Sequence, residues 1–216
     1  MPTPDPLAHW QPLFCEMLAR HSTADAAHDP GHLLRVATNA RRLADASGAD
    51  WRVVMPAAWL HDCVVVPKSS PERHLASRLA ARQAVGWLEA AAWPHGRLEE
   101  IAHAIEAHSF SAGIAPRTLE AQVVQDADRL DALGAVGLAR TLMLGGELGR
   151  EFYAPEDPFC EARPPDDSRF TLDHLFSKLL KLEATMQTPA GRAEARRRTE
   201  RPHFFSWRCQ NAHVHR

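Results

Sequence analysis

A histidine and an aspartate stand side by side at the end of an apolar stretch, Ala57 to Asp62. If the stretch is helical, His61 shares a face with Trp51 and Val54, because positions i, i+3 and i+10 fall within about 80° of one another around a helix. Asp62 lies about 100° further round. An imidazole and a carboxylate at the inner end of an apolar helix carry a desolvation cost that a divalent cation would offset. The pair therefore suggests a metal site.

The pair by itself has little weight, because the chain holds 13 histidines and 13 aspartates among its 216 residues. That composition predicts about one His-Asp neighbour by chance. The sequence has two, His28-Asp29 and His61-Asp62. A metal site is therefore supported only by what surrounds the second pair.

Two further groups of metal-binding side chains fall on inward faces of other predicted helices. One is His32, and the other is an acidic residue of the segment Gln125 to Arg129. Two imidazoles and two carboxylates make a mixed set of ligands that suits Mn²⁺, Mg²⁺, Fe²⁺, Co²⁺ or Zn²⁺. They leave room in an octahedral shell for water and a substrate oxygen, so the ion can acidify the water and polarise a phosphoryl oxygen. Asp126 and Asp128 point about 200° apart on a helix, so only one can face the ion.

The helices that must position these groups are predicted from hydrophobic spacing, caps and turn residues. Their predicted bounds are about 5–20, 31–48, 50–62, 70–92, 98–108, 118–144, 171–186 and 191–201. The helix that begins at Thr118 either runs on or restarts before the stretch from Leu133 to Leu144. Asp50 is the expected N-cap of the helix that ends in His61, and Pro56 should delay the start of that helix or kink it. His108 falls on the apolar face of its own helix and is expected to point inward. No segment alternates with a period of two, so the predicted fold class is all-α.

A chain of this length fits one domain with a sizeable core. The segment at about 145–170 holds three glycines and four prolines and is expected to be a long surface loop. Loops of this length are often lids or binding loops. The last residues, 213–216, are expected to form a mobile tail.

Composition and charge restrict the classes of partner. A formal charge of −2 gives no general attraction for nucleic acid or an anionic membrane. The first residues lack the pattern of a signal peptide, and no run reaches the ~18 apolar residues of a membrane span. The four cysteines are far apart and are interpreted as free thiols. We therefore expect a cytoplasmic protein that acts on a small molecule, and the oligomeric state stays open.

Five strings of this sequence resemble the HD-domain metal-dependent phosphohydrolase superfamily, and within it the small bacterial HD-domain hydrolases of the YedJ/YpgQ type. They are HDPGHLLRV at 28–36, AAWLHDCVVVPKSSPERHLASRLAA at 57–81, IAHAIEAHSFSAGIAP at 101–116, VVQDADRLDALGAVGLAR at 123–140 and TLDHLFSKLLKLEATMQTPAGRAEARRR at 171–198. The resemblance covers most of the chain and is far more specific than the metal-binding residues alone.

The resemblance implies a single compact HD-domain helical bundle over residues 1–216 that holds one divalent metal ion, with Mn²⁺ or Mg²⁺ preferred. It implies the ligands His32, His61, Asp62 and Asp128, with Asp126 as second choice or as an acid hydrogen-bonded to a ligating imidazole. It also implies hydrolysis of a phosphoester or phosphoanhydride bond by hydroxide formed on the metal. Some relatives act on nucleoside triphosphates and release pyrophosphate, so a nucleotide is the expected substrate.

Other polar residues are candidates for contacts with the phosphate. Charge that develops on a reacting phosphate needs cationic donors. The candidates are Lys68, Arg35, Arg78, Arg129 and His108, together with His28 at the substrate or beside the ligands. Lys68 is preferred as a catalytic residue because it follows the ligand pair on the same loop. Each candidate also has a structural interpretation as a solvated lysine, an ion-pair arginine or a buried histidine.

Two other functions compete with hydrolysis. Some HD-fold proteins hold two irons and act as oxygenases, which requires more inward histidines, and only His28 and His108 can supply them. A non-catalytic nucleotide-binding module would carry the same residues without turnover. Metal analysis separates the first alternative from a hydrolase, and an activity assay separates the second.

Overall fold

A computed structural model of the protein describes residues 10–21, 30–66 and 70–212. Its α-helices are α1 (Gln11–His21), α2 (Pro30–Ser47), α3 (Trp51–Leu60), α4 (Ala76–Ala90), α5 (Leu98–His108), α6 (Leu119–Asp131), α7 (Gly134–Glu147), α8 (Asp173–Ser177) and α9 (Pro189–Ala212). The described residues contain no strand, only an isolated bridge between Glu151 and Phe170. The predicted all-α class is therefore confirmed. The chain forms two compact units, residues 1–128 and 129–216.

The first unit is built around α3. Every residue of this helix from Val53 to Leu60 is buried, which is the pattern of a helix that neighbours surround on all sides. Helices α2 and α5 pack against α3, and α4 packs against α5. The apolar stripe of α5 is also buried, with Ile101 and Ile105 fully inaccessible to solvent. His61 and His108 come at the inner ends of these two buried helices.

Local sequence signals fix both ends of the link between α2 and α3. Gly48 ends α2 with φ of +75°, a conformation that favours glycine. Asp50 caps α3, and its side chain accepts a hydrogen bond from the backbone N–H of Arg52 at 3.0 Å. Of the two effects expected of Pro56, the late start of α3 is wrong, because the helix begins at Trp51 and runs through Pro56. Pro56 removes only the N–H that would bond to the carbonyl of Arg52, and the capped, buried helix tolerates that loss.

The next helical segment begins as predicted. Ser70 is its N-cap, accepting a hydrogen bond from the backbone N–H of Glu72, and Pro71 occupies the first position. The segment opens with a 3₁₀ turn, Pro71–Leu75, before α4. The loop between α3 and this turn includes residues 67–69, so Lys68 lies outside the described residues.

The second unit contains α7, α8 and α9. Between α7 and α8 the chain follows an irregular path that is stabilised by polar contacts. The carboxylate of Asp157 accepts hydrogen bonds from the backbone N–H groups of Glu161, Ala162 and Arg163. The buried carboxylate of Asp173 accepts hydrogen bonds from Nη1 and Nη2 of Arg163. This segment corresponds to the long loop expected at about 145–170.

Two helix predictions in the second unit are wrong. The continuous helix expected at 171–186 is instead α8 followed by 3₁₀ turns at Leu179–Lys181 and Glu183–Thr185. The break falls at Lys178, whose φ of −134° and ψ of −60° are not helical. Helix α9 does not end near Arg201 but continues past Pro202 to Ala212. The expected tail at 213–216 lies outside the described residues, and no described helix is long and apolar enough to cross a membrane.

Candidate metal centre

Four side chains from three helices of the first unit bring nitrogen and oxygen atoms together. The Nε2 atoms of His32 and His61 are 3.3 Å apart. Asp128 Oδ1 lies 3.6 Å from His32 Nε2 and 3.8 Å from His61 Nε2. Asp62 Oδ2 lies 3.6 Å from His61 Nε2 and 4.0 Å from His32 Nε2. We call these four residues the donor cluster, and they are the residues that the sequence suggested as ligands.

The distances within the donor cluster fit ligands that share one ion. Ligands about 2.1 Å from an octahedral ion lie ~3 Å apart when adjacent and ~4.2 Å apart when opposite. The separations that involve the two imidazole nitrogens, 3.3 to 4.0 Å, fall inside that range. The ligand atoms of His32, His61 and Asp128 all lie within 4.8 Å of one another and form a first group of possible metal ligands, to which Asp62 does not belong. Two carboxylates and two neutral imidazoles would also balance the charge of a divalent cation. The donor set is therefore compatible with Mn²⁺, Mg²⁺ or another divalent metal ion.

Helix ends reinforce this preference for a cation. His61 caps the C-terminus of α3, His108 is the last residue of α5, and Asp128 lies in the last turn of α6. The C-terminal end of a helix carries a partial negative charge from its unpaired carbonyl groups. Three such ends supply side chains to this site, so their field favours a positive charge there.

His61 is held in the orientation and protonation state that a metal ligand requires. Its side chain is fully buried, and Nδ1 donates a hydrogen bond to the carbonyl of Ala58 at 2.8 Å. That bond leaves the lone pair of Nε2 free to face the donor cluster. Burial lowers the pKa of His61, although the nearby charge of Asp62 opposes this shift. The imidazole is therefore neutral near pH 7.

The two carboxylate oxygens of Asp62 face different histidines. Oδ2 lies 3.6 Å from Nε2 of His61, within the donor cluster, whereas Oδ1 lies 3.5 Å from Nε2 of His108. Burial of the carboxylate raises its pKa, but the imidazoles of His61 and His108 outweigh that effect, and the resulting pKa lies well below the usual range of an aspartate. Asp62 is therefore ionised, as a metal ligand must be.

His108 lies inside the site rather than at its margin. Its ring centroid is 4.8 Å from that of His61, and its Nδ1 donates to the carbonyl of Ile105 at 2.6 Å. Burial lowers the pKa of His108, but the hydrogen bond and charge of Asp62 outweigh burial and raise it. Together with His61 and Asp62 it forms a second group of possible metal ligands. His108 was predicted to contact the substrate, whereas its spacing on α5 matches that of His61 on α3.

Two buried amides brace the helices that carry these residues. Asn39 of α2 donates through Nδ2 to the carbonyl of Ala127, directly before Asp128, at 3.3 Å. Gln125 of α6 donates through Nε2 to the carbonyl of Ala107, directly before His108, at 2.6 Å. These bonds tie α2 to α6 and α6 to α5. Sequence reasoning gave neither amide a role, although a polar residue on an inward helix face is a usable signal.

The structure distinguishes the two acidic residues of α6. Asp128 is close to His32 and His61, and its side chain is 29% exposed. Asp126 is fully buried and, among the described residues, belongs neither to the group of His32, His61 and Asp128 nor to the group of His61, Asp62 and His108. This arrangement follows from the angle of about 200° between the two positions on a helix.

The proposed phosphate-binding residues are less tightly grouped. Arg35 is half-buried, one turn after His32 on α2, and Arg78 is exposed on α4. Arg129, in the second unit, donates through Nη1 to the carbonyl of Thr185 at 2.6 Å, which is a structural contact. Lys68 and His28 lie outside the described residues.

Solvent reaches the site from the carboxylate side. The side chain of Asp62 is 50% exposed and that of Asp128 is 29% exposed, whereas that of His61 is 0% exposed. A separate cavity of about 240 Å³ lies among α1, α2 and α3, over Phe14 and Trp59. None of the donor cluster lines that cavity, so it is not the metal centre.

Comparison with known proteins agrees with this geometry. The HD domain family matches residues 31–133, a range that contains the whole donor cluster. The protein YpgQ of Bacillus subtilis strain 168 is 32% identical over 177 residues, which cover 80% of this chain and 78% of YpgQ.

Solved structures extend the likeness over almost the whole chain. A crystal structure of an HD-superfamily hydrolase from Bacillus thuringiensis has 30% identity and a TM-score of 0.71, covering 95% of this chain and 99% of that one. The structure of Bacillus subtilis YpgQ in complex with ADP has 29% identity and a TM-score of 0.66, covering 92% of this chain and 94% of that one. The donor cluster, the matched domain and these relatives together show that the chain belongs to the HD-domain family of hydrolases.

Proposed function

We propose that this protein is a metal-dependent phosphohydrolase whose substrate is a nucleotide. His32, His61, Asp62 and Asp128 would hold one divalent metal ion, with Mn²⁺ or Mg²⁺ preferred. The observation that carries the proposal is that the two imidazole nitrogens lie 3.3 Å apart and 3.6 to 4.0 Å from an oxygen of each carboxylate. A divalent ion bound there would acidify a water molecule and polarise a phosphoryl oxygen.

The side chains around the donor cluster have separate tasks in this proposal. The hydrogen bond from His61 to Ala58 holds the imidazole with its Nε2 lone pair toward the site. His108, whose pKa is raised beside Asp62, can keep a proton on Nε2 and offer it to a phosphate oxygen. The buried Asp126 would act through the ligands by hydrogen bonding rather than by touching the ion.

An anionic substrate needs further positive charge, because the two carboxylates already balance a divalent ion. Lys68, on the loop that follows Asp62, is the proposed catalytic cation. Arg35 and His28 are proposed substrate contacts, with Arg78 and Arg129 as weaker candidates. The complex of YpgQ with ADP supports a nucleotide as the substrate class. Release of phosphate or pyrophosphate from such a nucleotide is the proposed outcome.

A nucleotide panel tests the reaction. The purified protein is incubated with Mn²⁺ and a nucleotide library, and products are identified by mass spectrometry. We expect one class of nucleotide to lose phosphate or pyrophosphate, and His61→Ala to abolish the release. His74→Ala, which removes an exposed histidine outside the donor cluster, is the matched control and should retain activity. Equal turnover by His61→Ala and wild type would contradict the proposal, and thermal stabilisation by a nucleotide without any product would indicate a binding module.

One observation favours a second candidate function. Asp62 offers Oδ2 to the donor cluster and Oδ1 to His108, which is how a carboxylate bridges two metal ions. A di-iron oxygenase would use such a bridge. Metal analysis of protein purified from cells separates the two functions. Two irons per chain with an air-sensitive spectrum would favour the oxygenase, and one Mn, Mg, Co or Zn ion would favour the hydrolase.

A further inference from the structure

Phe110 is an exposed aromatic residue with no evident structural role. Its side chain is 79% exposed, more than any other large hydrophobic residue that the structure describes. Large aromatic side chains are normally buried or placed at binding surfaces, because leaving them in water forgoes a favourable burial. A phenylalanine with this exposure is therefore a candidate contact for a ligand.

Phe110 lies two residues after His108, which belongs to the candidate metal centre. Helix α5 ends at His108, and Ser109 then continues in an extended conformation. The Cα atoms of His108 and Phe110 are thus at most ~7 Å apart. The rings of His61 and His108 are 4.8 Å apart, so the C-terminal ends of α3 and α5 lie side by side at the site. The side chain of Asp62, whose Oδ1 lies 3.5 Å from Nε2 of His108, is 50% exposed.

The loop that carries Phe110 is held in place. Phe110 opens a turn in which the backbone N–H of Gly113 donates to its carbonyl at 3.4 Å. The hydroxyl groups of Ser109 and Ser111 are 3.0 Å apart, within hydrogen-bonding distance. Near the end of the loop, the backbone N–H of Arg117 donates to Nε2 of His103 at 3.0 Å. An aromatic ring on an ordered turn loses little conformational entropy when it binds.

We propose that Phe110 is the base-stacking residue of this site, which would grip the heterocycle of a nucleotide whose phosphates lie at the metal centre. This inference rests on the proposed function. A phenyl ring has no hydrogen-bonding atoms, so it recognises the flat face of any base and does not read its edge. The substrate class is therefore a nucleotide with little discrimination among bases at this contact.

A comparison of one ligand that carries a base with one that lacks it separates base stacking from a general effect of the substitution on the site. Binding of ADP and of inorganic pyrophosphate is measured by calorimetry in the presence of Mn²⁺. We expect Phe110→Ala to weaken ADP binding about tenfold or more, because loss of a base-stacking contact has an effect of this order. Pyrophosphate binding should not change. Phe110→Trp should restore ADP binding, and Leu79→Ala, which truncates an exposed residue of α4, is the control.

The results also separate this inference from the proposed function. If wild type turns over nucleotides but Phe110→Ala binds ADP as tightly as wild type, the stacking role is overturned and the hydrolase stands. An equal loss of ADP and pyrophosphate binding in Phe110→Ala also overturns it. If wild type binds ADP without hydrolysing any nucleotide, and Phe110→Ala weakens ADP binding but not pyrophosphate binding, the stacking role stands and the hydrolase proposal fails.

Discussion

The Nε2 atoms of His32 and His61 face each other at 3.3 Å, although the residues are 29 positions apart in the chain. His61 has its proton on Nδ1, where it bonds to Ala58, so its Nε2 presents a lone pair. A lone pair that faces another ring nitrogen is stable only if a proton or a cation lies between them. Carboxylate oxygens of Asp62 and Asp128 also lie 3.6 and 3.8 Å from Nε2 of His61. A divalent cation is the group that this arrangement fits.

The two acidic residues of α6 should differ in their effect on metal binding. We expect Asp128→Asn to weaken Mn²⁺ binding by at least an order of magnitude, because its carboxylate lies 3.6 Å from Nε2 of His32. Asp126→Asn should change Mn²⁺ affinity less, since Asp126 is buried outside both groups of possible ligands. Calorimetric titration of metal-free protein measures both affinities. A greater loss in Asp126→Asn would mean that Asp126 is the ligand.

The stability of the metal-free protein should depend on the protonation of His61. Burial lowers the pKa of His61 in the folded state, whereas an unfolded histidine titrates near ~6.5. As the pH falls below ~6.5, the unfolded chain therefore takes up a proton that folded His61 does not, and the free energy of unfolding decreases. His108 has a raised pKa and acts with the opposite sign, so its stabilisation is lost as the pH rises through its folded pKa.

Urea unfolding at several pH values isolates the contribution of His61. Metal-free wild type is compared with His61→Gln between pH 5 and pH 7.5, a range chosen around the ~6.5 of an unperturbed histidine. We expect the loss of stability toward acid pH to be smaller in His61→Gln. Parallel pH profiles for the two proteins would show that His61 is not held neutral by the fold.

Gln125 should position the site without touching a ligand of the metal. Gln125→Leu removes the hydrogen bond to the Ala107 carbonyl while keeping a similar volume. We expect a loss of Mn²⁺ affinity of roughly tenfold, the usual effect of removing a contact that supports metal ligands. Gln122→Leu is the matched control, because Gln122 lies one turn earlier on α6 and donates to the carbonyl of Pro116 instead. Equal affinities in the two variants would contradict the positioning role.

Asp50 should contribute to stability through the N-terminus of α3. Its carboxylate accepts from the backbone N–H of Arg52 and from the guanidinium groups of Arg52 and Arg97. Asp50→Ala should lower the free energy of unfolding by about 1–2 kcal/mol, since it removes the N-cap. Asp50→Asn keeps a capping oxygen and should cost less. Chemical denaturation measures both, and an unperturbed Asp50→Ala variant would show that α3 does not depend on its cap.

The sequence predicted the inward positions of His61 and His108, because helical periodicity alone decides which way a helical side chain points. Leu98, Ile105 and His108 repeat the spacing of the helix that ends in His61, and both histidines are buried as that spacing requires. Capping residues were equally informative, because a cap is a local contact. Asp50 and Ser70 both lie where they were expected.

Features that depend on tertiary contacts were not predicted. The hydrogen bond of Gln125 to Ala107 joins residues 18 positions apart, and no local pattern specifies such a pair. The break at Lys178 was missed because the leucine-rich segment around it has the composition of a helix. The late start of α3 that was expected from Pro56 is wrong, because burial on all sides keeps the helix intact despite one missing N–H. Local propensity gives way in each case to packing.

Metal content measured together with activity tests the central claim most directly. The protein is stripped with a chelator and titrated with Mn²⁺, while bound metal and product release from the best nucleotide of the panel are followed in the same samples. We predict that the stripped protein releases no product and that activity returns in proportion to one Mn²⁺ bound per chain. Full activity in the stripped protein, or a chain that binds no divalent ion, would contradict the assignment of the donor cluster.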